Sequence, residues 1–130
     1  MREHPNATLV RKGYEAFNQA DIASIREVLA HAVVWHEPGR SVLAGDYKGA
    51  DEVLGFLHRL HDLSGGTFRA ELVALVADAE RVTAFQRATG RRGDRELDCL
   101  DVVDFEIHQH HVTEVSVYRS DMYAFDEFWA

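Results

Sequence analysis

The sequence predicts an α+β domain, in which a curved antiparallel sheet carries helices on one face. Two patterns indicate this fold class. Apolar residues recur at helical spacing in three segments of the first half, and they alternate with polar residues through four consecutive segments of the second half. The 130 residues have the length of one ordinary domain, and no repeat, composition change or low-complexity segment divides them. We therefore expect a single domain over residues 1–130.

Three amphipathic helices are predicted in the first half of the chain. Residues 7–19 carry apolar side chains at helical spacing, and either Asn6 or Thr8 can cap their start. Asp21 can cap a second, shorter helix. The third helix covers residues 50–63, where an apolar stripe runs up to a pair of glycines.

The predicted strands begin between the second and third helices. Residues 32–37 are β-branched and aromatic, and Pro38-Gly39 ends them, so we expect a strand followed by a loop. The aromatic tail, residues 120–130, can pack back on the body or across a dimer interface. The remaining predicted strands, joined by short turns, cover residues 67–77, 81–91, 95–107 and 111–119.

Charge and composition exclude several classes of partner. The formal net charge of -8 opposes binding to phosphate backbones and to anionic membranes. The one cysteine, Cys99, cannot form an internal disulfide, and no secretory leader is recognised near the first residue. We therefore expect a cytoplasmic protein that binds neither nucleic acid nor membrane.

The order of elements, together with four sequence segments, resembles a known family. The segments are GYEAFNQAD in the first helix, WHEPG at the end of the first strand, LAGDYKG before the third helix, and the aromatic tail. They resemble the SnoaL-like branch of the nuclear transport factor two superfold, which also contains the ketosteroid isomerases and has a cystatin-like fold. The resemblance implies a cone-shaped antiparallel or mixed sheet around a pocket that the helices of the first half close. It also implies homodimerisation through the outer face of the sheet, with Thr83, Phe85 and Val117 as exposed candidates.

His36 and Glu37 are the first candidates for acid-base chemistry. Alternation along the strand puts Trp35 and Glu37 on one face and His36 on the other, so only one of the pair enters a pocket unless Pro38 turns the chain. The ketosteroid isomerase base is an aspartate before a proline at this place, which points to Glu37, whereas the SnoaL-like WHxPG pattern points to His36. An imidazole with a pKa near ~6.5 needs less tuning than a carboxylate. The alternative is a hydrogen-bonded His36 beside a solvated Glu37 at a sheet edge.

Three further residues could take part in catalysis. Tyr14 lies on the apolar side of the first helix and resembles the oxyanion tyrosine of ketosteroid isomerases, although it could equally be a core tyrosine. Asp101 lies in the middle of the more apolar face of its strand, where a neutral carboxylic acid could donate to an oxyanion, unless that face is solvated. Asp121 matches in position the acid-base aspartate of SnoaL-like cyclases, and it could also cap a helix.

The other predictions concern the pocket wall and metals. We expect no metal and no cofactor, because the histidine groups near residues 58–62 and 108–111 match no ligand pattern. Cys99 is interpreted as a small buried hydrophobic residue. The residues predicted to line the pocket are Phe17, Trp35, Phe56, Val103 and Phe105.

These residues support two hypotheses of different classes. The first is a cofactor-independent isomerase or cyclase that moves a proton on a hydrophobic carbonyl compound. The second is a non-catalytic module for ligand binding or dimerisation, which a solvent-exposed Glu37 and Asp101 and a filled cone would favour. Epoxide hydrolysis ranks third, because its linked carboxylate, arginine and carboxylate are not recognised in the sequence.

Overall fold

The computed structural model describes residues 2–130 and contains four helices and one six-stranded sheet. In chain order the elements are α1 Pro5–Asn18, α2 Ile22–Val28, β1 Leu29–Glu37, β2 Gly45–Lys48, α3 Ala50–Leu63, β3 Arg69–Ala77, β4 Arg81–Arg92, β5 Arg95–His108, β6 His111–Arg119 and α4 Met122–Trp129. The predicted α+β class is confirmed, and the third helix has the predicted bounds.

The sheet is mixed, with the strand order β2-β1-β6-β5-β4-β3. Every neighbouring pair is antiparallel except β1 and β6, which run parallel. Register shifts interrupt three of the pairings, and such bulges bend strands and increase their twist. The sheet therefore curves, and its first and last long strands meet side by side.

Strand β5 illustrates why one face of the sheet is buried. Its odd-numbered residues from Leu97 to Ile107 are buried, and most of its even-numbered residues are partly or fully exposed. This alternation is the one predicted from the sequence. The inward side chains form one core with the apolar faces of α1 and α3.

Two local features differ from the sequence-based prediction. Helix α1 begins at Pro5, and the ring of His4, rather than Asn6 or Thr8, accepts the capping hydrogen bond from the backbone N–H of residue 6 at 3.0 Å. The Asn6 side chain is instead used across the fold, donating to the backbone oxygens of Asp78 and Ala79. Strand β2 lies in the segment predicted to be loop, because its four residues begin with a glycine and give no clear alternation.

The tail forms a helix that packs on its own chain. Helix α4 buries Phe125, Phe128 and Trp129. The carboxylate of Asp126 accepts hydrogen bonds from the backbone N–H groups of Arg40 and Ser41, so this helix also anchors the loop that follows β1. Within residues 2–130, none of the helices combines the length and the apolar character needed to cross a bilayer.

Candidate functional site

A largely apolar cavity lies between the inner face of the sheet and helices α1 and α3. It measures about 740 Å³ with its open mouth, and about 90 Å³ of it is wide enough for the centre of a water molecule. All five residues predicted to line a pocket do line this cavity: Phe17, Trp35, Phe56, Val103 and Phe105. The cone is therefore not filled by its own side chains.

The end of β1 turns Glu37 into the cavity. Alternation along the strand directs Trp35 and Glu37 inward, and the Glu37 side chain has no solvent exposure. The indole N–H of Trp35 donates to Glu37 Oε1 at 3.1 Å. A carboxylate that burial alone would destabilise is thus held by a neighbour on its own strand.

Arg119 links Glu37 to a second buried carboxylate, that of Asp101. Its Nη1 donates to Asp101 Oδ2 at 2.6 Å, and its Nη2 donates to Glu37 Oε2. Asp101 and Arg119 are direct partners in the β5–β6 register, and the guanidinium also lies 3.6 Å from the ring centre of Phe125. The two carboxylates have no exposed side-chain surface, and the Arg119 side chain is 5% exposed. The cavity thus has a carboxylate, arginine and carboxylate set at its polar end.

Burial and charge act in opposite directions on these groups. Burial raises the pKa of Glu37, and Arg119 offsets this shift only in part. Burial alone would lower the pKa of Arg119, but Glu37 and Asp101 outweigh it, so the pKa rises and the guanidinium stays charged. Glu37 is therefore a stronger base than an exposed glutamate.

Gln86 extends the network to Tyr14. Its Nε2 donates to Asp101 Oδ2 at 3.1 Å, which leaves its Oε1 to accept the Tyr14 hydroxyl proton at 2.6 Å. Burial, with the charge of Asp101, raises the pKa of Tyr14, so the phenol stays protonated. The sequence suggested Tyr14 as an oxyanion donor. Its hydroxyl proton is already donated to Gln86, so it is not free for that role.

Asp101 lies one layer behind the cavity wall. It accepts from Arg119 and Gln86, and the Cys99 thiol lies 3.5 Å from its Oδ1. Burial raises the pKa of that thiol to about 12, as befits a structural cysteine. Surrounded by donors, Asp101 holds Arg119 and Gln86 in position, and the prediction that it donates to an oxyanion is not supported.

Two predicted catalytic residues lie outside the cavity, which corrects their assignment. His36 points to the outer face, where its Nδ1 lies 2.7 Å from Asp46 and its Nε2 lies 2.6 Å from Glu114. Asp121 is exposed, and its Oδ1 accepts from the backbone N–H of Ala124 at 3.0 Å, capping α4. Alternation explains the first correction and helix capping the second.

Sequence reasoning missed Arg119 and Gln86. The signal was present, because Arg119 continues the inward alternation of Val115 and Val117, and Gln86 follows Val82 and Ala84 in the same way. Val117 was predicted on the exposed face and is instead buried against the cavity.

One of the histidines considered as metal ligands, His61, has other contacts. His61 stacks on the ring of Phe17 at 4.4 Å between ring centres, and its Nε2 lies 2.8 Å from the Phe17 backbone oxygen. Across residues 2–130, no group of three His, Cys, Asp or Glu side chains is arranged to hold a metal ion.

Comparison with known proteins identifies the family. The family model described as a SnoaL-like domain matches residues 10–115. The structure of Bal32a, from a soil-derived mobile gene cassette, is 37% identical with a TM-score of 0.94 and covers 97% of each chain. An uncharacterised protein of Mycobacterium tuberculosis is 27% identical over the full length of both chains. TerC, crystallised with polyporic acid, shares the fold at 21% identity, with a TM-score of 0.82 over 96% of this chain and 98% of its own. The chain thus belongs to the SnoaL-like family of the nuclear transport factor two superfold.

Proposed function

We propose that the protein binds a compact, largely apolar molecule in the cavity and moves a proton on it without a cofactor, with Glu37 as the acid-base group. One observation carries this proposal. Glu37 is a buried carboxylate with a raised pKa that lines an otherwise apolar cavity, next to a guanidinium that can stabilise developing negative charge.

In this proposal Glu37 moves the proton, and Arg119, rather than a tyrosine, stabilises the oxyanion. Glu37 accepts one hydrogen bond on each oxygen, from Trp35 and from Arg119, and a carboxylate has capacity for about four. It can therefore still take a substrate proton. Arg119 has N–H groups beyond the two used by Asp101 and Glu37, among them a buried Nε–H with no hydrogen-bond partner among residues 2–130, and we assign these as the donors to a developing enolate oxygen.

Cavity size limits the substrate. An apolar protein cavity of about 150 Å³ holds one benzene molecule. The 90 Å³ open to a water centre is smaller, so a molecule of about one ring is the upper limit, and side chains of the lining must move to admit it. A fused four-ring steroid is too large for this space.

The test compares two neighbouring residues on opposite faces of β1. We expect the wild-type protein to isomerise cyclohex-3-en-1-one to the conjugated ketone, moving one proton from Cα to Cγ. Glu37→Gln should lower kcat about 100-fold or more, the scale of general acid–base catalysis. His36→Gln is the matched control, and it should change kcat less than about threefold, because His36 lies outside the cavity. Equal loss in both variants, or turnover that survives Glu37→Gln, would contradict the proposal.

Epoxide hydrolysis is a second candidate, favoured by the Glu37, Arg119 and Asp101 set. Hydrolysis with an acid and a base needs two carboxyl groups that reach the substrate, and Glu37 is the one carboxylate that lines the cavity among residues 2–130. Release of phenylethanediol from styrene oxide, lost in both Glu37→Gln and Asp101→Asn, would favour this reaction over isomerisation. A protein inert towards both substrates but binding aromatic compounds would favour the non-catalytic alternative.

We also propose that the outer face of the sheet pairs two copies of the chain. Phe85, Leu100 and Tyr118 are 41%, 59% and 59% exposed on three adjacent strands, and ion pairs such as Arg87–Asp98 flank them. At micromolar concentration we expect sedimentation as a dimer, and we expect Leu100→Glu to give a monomer. Tyr123→Glu changes an exposed position on α4. It is the control and should remain dimeric. A wild-type monomer would contradict the proposal.

A further inference from the structure

The polar end of the cavity is one positive charge short. The Glu37 and Asp101 side chains have no solvent exposure, and both are bonded to the single guanidinium of Arg119. Within residues 2–130, Arg119 is the one basic side chain that lines the cavity. The other titratable groups close to Glu37, the phenols of Tyr14 and Tyr47, carry no charge in the neutral range because their pKa values are raised. When both carboxylates are ionised, two negative charges share one guanidinium, and the buried set carries a net charge of about -1.

A buried charge without a partner is costly, so this end of the cavity favours an added positive charge. A proton on Glu37 supplies one, in agreement with the raised pKa of this residue. A cationic ligand would supply another. The two compete, because both neutralise the same carboxylate.

The walls of the cavity suit an organic cation better than a hydrated metal ion. Trp35 and Phe56 line the cavity and lie 5.4 Å apart between ring centres, and Tyr47, which is not part of the lining, stacks on Phe56 at 4.5 Å. Aromatic faces attract ammonium groups when water is excluded. An ammonium group also offers three N–H donors to the unused lone pairs of Glu37.

We propose that the ligands of this cavity are small primary ammonium compounds of about one ring, with the ammonium group against Glu37 and the ring against the aromatic wall. The inference rests on the proposed function, since it names the ligand class of the same site. An ammonium N–H would lie against the same oxygens that take the proton in that function. Turnover of a neutral ketone tests whether Glu37 acts as a base, whereas binding of an ammonium compound tests whether the Glu37, Arg119 and Asp101 set favours an added positive charge.

The test uses three ligands of nearly the same shape and different charge. Calorimetric titration at pH 7 with benzylamine, which is protonated there, should give an affinity about tenfold or more above that for benzyl alcohol, with benzoate weakest. Glu37→Gln should abolish this preference and leave the affinity for benzyl alcohol within about threefold. Glu114→Gln removes a carboxylate from the outer face and should change none of the three affinities.

A second measurement uses the wild-type protein alone. The affinity for benzylamine should rise with pH through the raised pKa of Glu37, because a proton competes for the same site, and it should then level off. Arg119, Asp101, Tyr14 and Tyr47 are the titratable groups around Glu37. The raised pKa of Arg119 keeps the guanidinium charged, and the raised pKa values of Tyr14 and Tyr47 keep both phenols neutral, so these three groups do not reverse this trend.

Several results would overturn the proposal. Benzyl alcohol could bind as tightly as benzylamine, the preference could survive Glu37→Gln, or none of the three ligands could bind. A preference for benzylamine without ketone turnover would leave this inference standing and remove only the proposed reaction. Ketone turnover that depends on Glu37, without any preference for benzylamine, would contradict this inference and leave the proposed reaction standing.

Discussion

The two faces of β1 hold ion networks that begin on successive residues. On the outer face, His36 lies between Asp46 and Glu114, and these side chains are 39%, 59% and 44% exposed. On the inner face, Glu37 is bonded to Arg119, with exposures of 0% and 5%. Water shares the charge of the first network, whereas the second has only its protein partners.

This difference gives the two raised pKa values opposite causes. The pKa of His36 rises because two carboxylates stabilise its charged form. The pKa of Glu37 rises because burial destabilises its charged form. The outer network therefore stabilises the charged form of His36, whereas the inner network makes Glu37 a stronger base next to a cavity. Burial rather than residue type is therefore the reason that we propose Glu37, and not His36, as the acid-base group.

The largest effect on stability is expected from Arg119→Met. The change leaves Glu37 and Asp101 buried without a cation, and breaking a buried pair in this way costs about 3–5 kcal/mol. Urea unfolding at pH 7 measures the loss. Arg87→Met, which removes an exposed partner of Asp98, is the matched control and should cost far less. Equal losses would mean that the buried ion pairs of the inner network contribute no more to the free energy of unfolding than an exposed ion pair does.

A smaller loss is expected from Tyr14→Phe. Without the phenol, the Oε1 of Gln86 is a buried acceptor with no donor, which costs about 1–3 kcal/mol. Tyr123→Phe, at a 91% exposed position on α4, should leave the free energy of unfolding nearly unchanged. If the two phenylalanine variants are equally stable, the Tyr14 to Gln86 contact contributes nothing measurable.

The smallest expected effect is a pH dependence that differs between the faces. A raised folded-state pKa contributes stability that is fully present below the unfolded-state pKa and is lost as pH rises through the folded-state value. For Glu37 the loss begins above the ordinary glutamate value of 4.5, so Glu37→Gln should gain stability relative to wild type from there upward. For His36 the loss of stability begins above the ordinary histidine pKa of 6.5. Any stability advantage of wild type over His36→Gln should therefore shrink above that pH.

Denaturant unfolding of the three proteins from pH 4 to pH 9 separates these windows. An advantage of wild type over Glu37→Gln that grows with pH would mean that Arg119 outweighs burial at Glu37. That outcome would make Glu37 an ordinary paired carboxylate.

Local patterns were sufficient to predict the first three helices, the long strands and the position of Tyr14 on the apolar side of α1, whereas they left the inward positions of Glu37 and Asp101 open and did not predict α4. They depend on periodicity and capping, which nearby residues determine. Strand β2 was not predictable, since its four residues become a strand only by pairing with β1. The sequence contained the alternation that turns Arg119 inward, but its partners lie 18 and 82 residues away along the chain. The antiparallel pairing of β5 with β6 brings Asp101 beside Arg119, and the parallel pairing of β1 with β6 brings Glu37 to it.

The most direct measurement is the titration of Glu37 itself. In the protein labelled with ¹³C at glutamate side-chain carboxyls, we expect one resonance to titrate above the ordinary glutamate value of 4.5 and to vanish in Glu37→Gln. The resonance of Glu114, whose pKa the His36 ring lowers, should titrate below that value. A Glu37 resonance that titrates at or below 4.5 would contradict the claim that burial at the inner face of β1 creates the base of this cavity.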